Sequence, residues 1–292
     1  MQHAFLYLHL GILLAGFTGL FGRLITMHEV DIVWYRMLFA SLFILPFTGL
    51  PKIGCKRIFN IAMCGGLLGL HWILFYGSIK VSNVSIGVVC YALVGFFTAL
   101  IEPLFFHRRI SRIEIFYSLI TVAGLLCIFS LDPRYRFGIM LGTISSAIAA
   151  LYSVYNKQVT IGVDSKTVLI YQILGGLGVV TLLIPIYLGI FPPSQPVFVL
   201  PAGSNLYWLL CLAFFCTSIL YLFQIMALKA LSAFTVNLSY NLEPIYTIIL
   251  AFIFFNEGRE LNASFYIGIS LIIISVALQT IRSIRNKSLK QD

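Results

Sequence analysis

Apolar residues dominate this chain in long runs that short polar connectors separate. A helix that crosses a membrane needs about 20 apolar residues, because each residue adds about 1.5 Å along a hydrocarbon core about 30 Å thick. The runs therefore predict membrane-spanning α-helices, antiparallel to their neighbours because the connectors are short. Ten runs have the required length, at residues 4–26, 31–50, 57–79, 83–106, 112–131, 137–159, 166–190, 205–228, 232–255 and 262–282.

Composition points to the same class. Hydrophobic residues make up 60% of the 292 residues and charged residues 10%, against about 25% charged in soluble domains. The net charge of +9 lies in the connectors, which is typical of membrane orientation and unlike a nucleic-acid-binding face. With the N-terminus inside, the inner connectors hold 13 lysines and arginines and the outer ones 4. We expect an integral, multi-pass protein of a bacterial inner membrane with both termini cytoplasmic.

An internal repeat relates the third and eighth spans, together with the spans that follow each of them. A gap-free alignment places Lys80 opposite Lys229 and Trp72 opposite Tyr221. Five spans in each half mean that the second half enters the membrane inverted, and inverted repeats around a midplane site are the architecture of many secondary transporters. The sequence predicts two inverted five-helix repeats around a central cavity. These repeats comprise residues 1–133 and 134–292.

Small residues cluster at helical spacing in several spans. The third span contains CGGLLG, with Gly65 and Gly69 four residues apart, and the seventh contains GGLG. Small side chains let membrane helices approach closely where no hydrophobic drive brings them together. We expect these clusters to mark helix crossings.

These features resemble a known family. The repeated five-span halves, the arginine of WYRMLFA in the second span and LEPIYTIILAFIFFNE in the ninth are similar to the EamA type of the drug/metabolite transporter superfamily. The most specific part of this resemblance is the proline at Pro244 with the glutamate at Glu257. The first half differs, with Gly95 and Arg108 at the matching positions and a displaced Glu-Pro pair that starts at Glu102. The resemblance implies a helical bundle that moves small metabolites through a central cavity by alternating access.

The ninth predicted span carries a carboxylate and a proline in an apolar run. Glu243 falls near its middle, where an ionised carboxylate costs about 2.5–3.5 kcal/mol on insertion scales. Pro244 frees the carbonyl of Tyr240 from its helical hydrogen bond. Asn237, Asn241 and Pro244 share one face, which we expect to line the substrate path. Glu243 binds a cation, a proton or an arginine there, or it is a structural ion-pair partner that never titrates.

Other spans carry further candidates for this path. Arg36 binds a substrate carboxylate, pairs with a glutamate or extends to the membrane surface. His71 can change its charge between about pH 5 and 8, which suits a gate or a proton relay. The alternative is a histidine that stays neutral and hydrogen-bonded. Some aromatic amino-acid exporters that this chain resembles have a cavity-facing histidine in this span. A wall of rings suits flat, amphipathic or cationic ligands. The remaining candidates are Trp72, Tyr91, Tyr152, Tyr221, Tyr240 and Gln224.

These observations favour a secondary transporter that exports a small organic metabolite such as an amino acid. No Walker A sequence is present, so ATP does not drive it directly. The alternatives are efflux of cationic or aromatic drugs by the same fold and, from another class, an intramembrane enzyme or sensor. Neither a catalytic motif nor metal-ligand spacing supports an enzyme. We expect no cofactor, no metal and no nucleic-acid partner. The expected partners are a small-molecule substrate and membrane lipid, and the expected oligomeric state is a monomer or a homodimer.

Overall fold

The chain folds into packed α-helices in the computed structural model, which describes residues 2–82, 87, 90–128, 136–193, 195–243, 245–246 and 263–288. No β-strand occurs within these ranges. The helices are α1 (Gln2–Leu24), α2 (Glu29–Thr48), α3 (Cys55–Val81), α4 (Leu93–Phe105), α5 (Arg112–Ile128), α6 (Arg136–Val159), α7 (Ser165–Ile190), α8 (Gly203–Ala230), α9 (Ala233–Tyr240) and α10 (Ala263–Ser288).

Six helices in the described part of the chain are long and apolar enough to cross a membrane: α2, α3, α6, α7, α8 and most of α10. Shorter apolar helices occur at His3–Thr18 and in α4. The predicted all-α membrane fold is therefore confirmed, whereas the count of ten spans stays a prediction. Two predicted spans contain a break among their described residues. In 83–106, helical residues up to Tyr91 and a turn at Ala92 precede α4; in 232–255, α9 ends at Tyr240, and helical residues resume at Glu243 after a turn.

Side chains cap the first turns of α2, α7 and α9. His28 accepts a hydrogen bond from the N–H of Val30 at the start of α2. Asp164 accepts from two N–H groups at the start of α7, and Ser232 accepts from the N–H of Thr235 at the start of α9. These side chains satisfy backbone donors that the first turn of a helix leaves without a partner. Each of the three boundaries is therefore set by the local sequence.

Helices α3 and α7 cross with their backbones almost in contact. A methyl group added at Gly65 would overlap the carbonyl oxygen of Gln172, and one added at Gly176 would lie 2.7 Å from the carbonyl oxygen of Gly65. Such a crossing is open to glycine alone, since any Cβ atom would push the helices apart. The small-residue clusters of the third and seventh spans therefore mark a helix crossing, as predicted.

Helix α8 contains a π turn at Phe214–Ile219. The N–H of Leu220 bonds to the carbonyl of Phe215, five residues back, instead of the four of an α-helix. Nothing in the hydropathy of this span predicted the turn. It rotates the later part of α8 relative to the earlier part, so the two parts do not share one continuous helical face.

One contact recurs in both halves of the chain. The Nζ atom of Lys80, in the last turn of α3, donates to the carbonyl of Met27 at 3.1 Å. The Nζ atom of Lys229, in the last turn of α8, donates to the carbonyl of Val163 at 2.6 Å. Met27 and Val163 each precede the cap of the helix that follows, α2 and α7. The two lysines that the repeat alignment pairs therefore make the same tertiary contact.

Candidate functional site

A narrow cavity lies among α1, α2, α3, α8, the end of α9 and the segment that follows it. The open space inside it is about 40 Å³, well below the about 300–1,000 Å³ of sites that hold a drug-sized ligand, so the cavity is constricted in this structure. A basic residue, Arg36, and an acidic residue, Glu243, both line it, together with His71 and Gln224. The rings that complete the wall belong to Trp72, Phe75, Tyr76, Tyr91, Tyr221 and Tyr240.

Arg36 is 2% exposed and is held by uncharged groups. Its Nε atom donates to the hydroxyl of Thr217 at 2.6 Å, one terminal nitrogen to the hydroxyl of Tyr76 at 3.3 Å and the other to the carbonyl of Cys216 at 2.6 Å. The guanidinium lies 3.8 Å from the centroid of the Trp72 ring, a cation–π contact. A guanidinium has more N–H donors than these three bonds use, so Arg36 can bind a ligand while it stays anchored.

Glu243 follows a turn of two residues, Asn241 and Leu242, at the end of α9. The helix ends at Tyr240, and the next two N–H groups bond to carbonyls only three residues back, at 3.1 and 3.0 Å. Pro244 lies outside the described residues, but a proline has no N–H to donate. The carbonyl of Tyr240 therefore lacks its α-helical donor, which accounts for the break before Glu243. Glu243 is partly buried at the cavity, where the positive charge of Arg36 attracts its carboxylate.

Trp72 and Tyr221, which the repeat alignment pairs, touch each other at the cavity. The indole N–H donates to the hydroxyl of Tyr221 at 3.1 Å, and the rings meet edge to face with centroids 5.3 Å apart. Behind Tyr221, the hydroxyl of Tyr152 donates to the side-chain oxygen of Gln224 at 3.3 Å. Paired residues of the two halves thus form one wall of the cavity.

His71 has a fixed orientation. Its Nδ1 atom lies 2.7 Å from the hydroxyl of Ser145, and that hydroxyl donates its proton to the carbonyl of His71 at 2.8 Å. The ring nitrogen Nδ1 is therefore the donor to Ser145, which leaves Nε2 as an acceptor when the ring is neutral. The imidazole also stacks on Tyr91, with centroids 5.5 Å apart. Both roles left open by the sequence, a relay and a neutral hydrogen-bonded residue, fit this geometry.

The structure gathers most of the predicted site residues at one place and leaves others out. Asn237 donates to the hydroxyl of Thr98 on α4 at 2.7 Å, and Asn241 is 2% exposed beside Gly95 of the same helix. The asparagine face of α9 therefore packs on α4 and does not line this cavity. That it lines the substrate path stays a prediction. Tyr152 lies one layer behind the wall. The residues brought together are Arg36, His71, Trp72, Tyr91, Tyr221, Gln224, Tyr240 and Glu243.

Two residues that hold Arg36 were missed from the sequence. Tyr76 follows Trp72 by one turn of α3, and Thr217 precedes Tyr221 by four residues in α8. Helical spacing from the chosen aromatic residues would have found both. Their hydroxyl groups resemble many others in the chain, so spacing was the one available signal.

Glu102 is a further buried charge that sequence analysis placed near the end of its span without a role. Its two oxygens accept the N–H groups of Ala233 and Phe234, at 3.0 and 2.9 Å, at the start of α9. Arg108 pairs with Glu102 at 3.2 Å and with Glu114 at 2.9 Å. Burial lowers the pKa of Arg108, but hydrogen bonds and the charges of both glutamates outweigh it, and the net shift is upward. The carboxylate thus caps the helix that leads to Glu243.

The cavity therefore offers charge of both signs on an aromatic wall. No group of three or more histidine, cysteine, aspartate or glutamate residues that could hold a metal ion occurs in the described ranges. The side chains present can orient a ligand through hydrogen bonds, charge and ring contacts.

Comparisons with known proteins agree with this architecture. The model of the EamA-like transporter family matches the chain twice, at residues 3–130 and 136–281. A solved structure titled only "Crystal structure of protein" superposes with a TM-score of 0.74 at 18% identity, over 98% of this chain and 99% of that chain; at that identity it supports the fold alone. No curated protein matches the chain. Because the family model covers nearly the whole chain in two repeats, this protein belongs to the EamA-like transporter family and is a multi-pass membrane transporter of small molecules rather than an enzyme.

Proposed function

We propose that this protein is a secondary transporter that exports an amino acid by alternating access. One observation carries the proposal: Arg36 and Glu243 line the same narrow cavity among six aromatic rings. An amino acid presents a carboxylate and an ammonium group on one carbon atom, which matches one basic and one acidic side chain. The rings supply apolar surface for its side chain.

The free-energy cost of placing the charges of Arg36 and Glu243 inside a membrane protein supports a ligand that carries both a positive and a negative charge. An ionisable side chain inside a membrane is expensive and by default marks a functional site. The guanidinium fork of Arg36 suits a planar carboxylate, and its anchors hold it in one orientation. Glu243 lies across the same cavity and accepts an ammonium group. When a zwitterionic amino acid moves from water into this cavity, its carboxylate and its ammonium group each meet a side chain of opposite charge, so neither group is buried without a partner.

The contrast between two helix crossings supports alternating access. Alternating access requires a cavity that is closed toward one side of the membrane while it is open toward the other. The glycine crossing of α3 on α7 supplies close contact on one flank, whereas the cavity lies beside α2 and α8 on the other. The family model also matches the chain twice, and paired repeats are the architecture on which many secondary transporters base alternating access.

The test is amino-acid exchange in proteoliposomes. Vesicles loaded with each amino acid in turn are assayed for uptake of the same labelled amino acid, and efflux from vesicles of defined orientation gives the direction. We expect Arg36→Gln and Glu243→Gln to lower the rate about tenfold or more, because each loses a charge-assisted bond to the substrate. Arg109→Gln is the matched control, since it removes a charge at an exposed position away from the cavity.

Size-exclusion profiles of the variants separate binding from folding. Normal exchange by both cavity variants would contradict the proposal. Loss of folded protein in both would assign Arg36 and Glu243 to a structural ion pair. No exchange of any amino acid by the wild-type protein would also contradict it.

A second candidate is efflux of cationic aromatic drugs. The stacked wall around Trp72 and Tyr221 favours it, because aromatic faces attract cations. In that case Glu243→Gln abolishes transport and Arg36→Gln leaves it intact or improves it. The same pair of variants therefore distinguishes the two substrates.

A further inference from the structure

The π turn of α8 presents a backbone carbonyl to Arg36. In an α-helix the carbonyl of Cys216 would accept the N–H of Leu220, four residues on. Here that N–H bonds to the carbonyls of Phe215 and Thr217 instead. The carbonyl of Cys216 is thereby released from its α-helical donor, and it accepts the Arg36 guanidinium at 2.6 Å. The irregular turn thus supplies an acceptor that a regular helix would have used internally.

The side chains of the same turn support its geometry. The hydroxyl of Thr217 donates to the carbonyl of Leu212 at 3.0 Å, and that of Ser218 donates to the carbonyl of Ala213 at 2.9 Å. Both bonds reach five residues back, the spacing of a π turn. Two adjacent hydroxyl residues therefore stabilise the widened turn from within.

Thr217 differs from Ser218 because it also binds Arg36. Its hydroxyl accepts from Nε of Arg36 at 2.6 Å while it donates to Leu212. A hydroxyl group has one proton and two acceptor sites, so the bond to Leu212 commits the proton and aims an acceptor at the guanidinium. Thr217 and the carbonyl of Cys216 grip two nitrogens of Arg36, and the ring of Trp72 covers its face.

We propose that Thr217, together with the π turn that contains it, is the positioning element that aims Arg36 at the carboxylate of the substrate. The inference rests on the proposed amino-acid transport and goes further by assigning the selectivity for the carboxylate group to a segment of α8 outside the cavity wall. Thr217 does not act on the substrate itself. It fixes the direction of the N–H donors of Arg36 that face the cavity.

The test compares two probes that differ by one carboxylate, L-phenylalanine and 2-phenylethylamine. Their dissociation constants are measured on the full-length, detergent-purified protein by isothermal titration. We expect Thr217→Val to weaken L-phenylalanine about tenfold, the worth of a charge-assisted hydrogen bond, and to leave 2-phenylethylamine within about twofold. Thr217→Ser keeps the hydroxyl and should restore the preference. Ser218→Ala is the matched control, because it loses the other five-residue bond without touching Arg36.

Each remaining outcome overturns a defined claim. Equal weakening of both probes by Thr217→Val and Ser218→Ala would make the turn structural only, with the proposed function intact. An unchanged preference in Thr217→Val would likewise overturn the inference alone. A wild-type protein that binds the two probes equally would overturn carboxylate recognition and with it the inference. If Thr217→Val does not fold, Thr217→Ala removes the same hydroxyl with less bulk and is subject to the same criteria.

Discussion

The crossing of α3 with α7 and the crossing of α2 with α8 occupy matching places in the two repeats, yet they are built differently. In the first, glycine backbones touch, and a Cβ at Gly65 or Gly176 would collide with the facing helix. In the second, Arg36 reaches from α2 to a π turn of α8 and lines a cavity. The first crossing leaves no space between its helices, whereas the second borders the cavity that we propose as the substrate site.

A pair of matched positions shows the difference most directly. Arg36 and Gln172 each follow the cap of their helix, His28 or Asp164, by the same number of residues. Gln172 is fully buried and donates to the sulfur of Cys64 on α3 at 3.3 Å, whereas Arg36 binds α8. In each repeat, therefore, a polar side chain at the same position of the second helix contacts the third helix of the other repeat: Arg36 of α2 contacts α8, and Gln172 of α7 contacts α3. Only the identity of that side chain and of the helix facing it decides whether the crossing is closed.

The largest expected effect comes from breaking the closed crossing. Gly65→Leu places a side chain into the backbone of Gln172, and overpacking of this kind costs about 1–3 kcal/mol or more. We expect a markedly lower Tm in detergent and loss of exchange in proteoliposomes. Gly178→Leu is the control, because a Cβ at Gly178 on the same α7 meets nothing within 4 Å. Equal tolerance of both changes would show that the crossing is not tightly closed.

A smaller effect is expected at α9, the helix that leads to Glu243. Glu102→Gln cannot accept both N–H groups at the start of α9, and a buried N–H without an acceptor costs about 1–3 kcal/mol. We expect a lower Tm with selectivity between substrates unchanged. Glu114→Gln is the matched control, since Glu114 also pairs with Arg108 but caps no described helix. A larger loss in the control would place the main stabilisation in the ion pair.

The smallest effect tests the equivalence of the repeats. Lys80→Met and Lys229→Met each remove one hydrogen bond to a backbone carbonyl, worth about 1 kcal/mol. Because the two contacts are the same, we expect similar decreases in Tm, additive in the double variant since the sites share no partner. Clearly different decreases in Tm for the two single variants would show that the same contact contributes differently to stability in the two halves.

The sequence by itself determined the class of the protein and the most conspicuous charges. Long apolar runs can be stable only in a bilayer or a buried core, so the helical membrane fold follows from hydropathy. Arg36 and Glu243 were visible because a charge inside such a run is costly wherever the helix packs. The glycine clusters and the helix break at Glu243 also depend on local chemistry, the size of a side chain and the missing donor of a proline.

Only the tertiary structure decided which faces meet and what they touch. The spacing of Asn237 and Asn241 defines a face, but the rotation of α9 turns that face to α4. The π turn interrupts the 3.6-residue period of α8, so hydropathy did not predict that the carbonyl of Cys216 and the hydroxyl of Thr217 both contact Arg36. Such features depend on contacts between helices far apart in the chain. Local hydropathy carries no information on them, because the rotation and depth of each helix are set by the packing of all its neighbours.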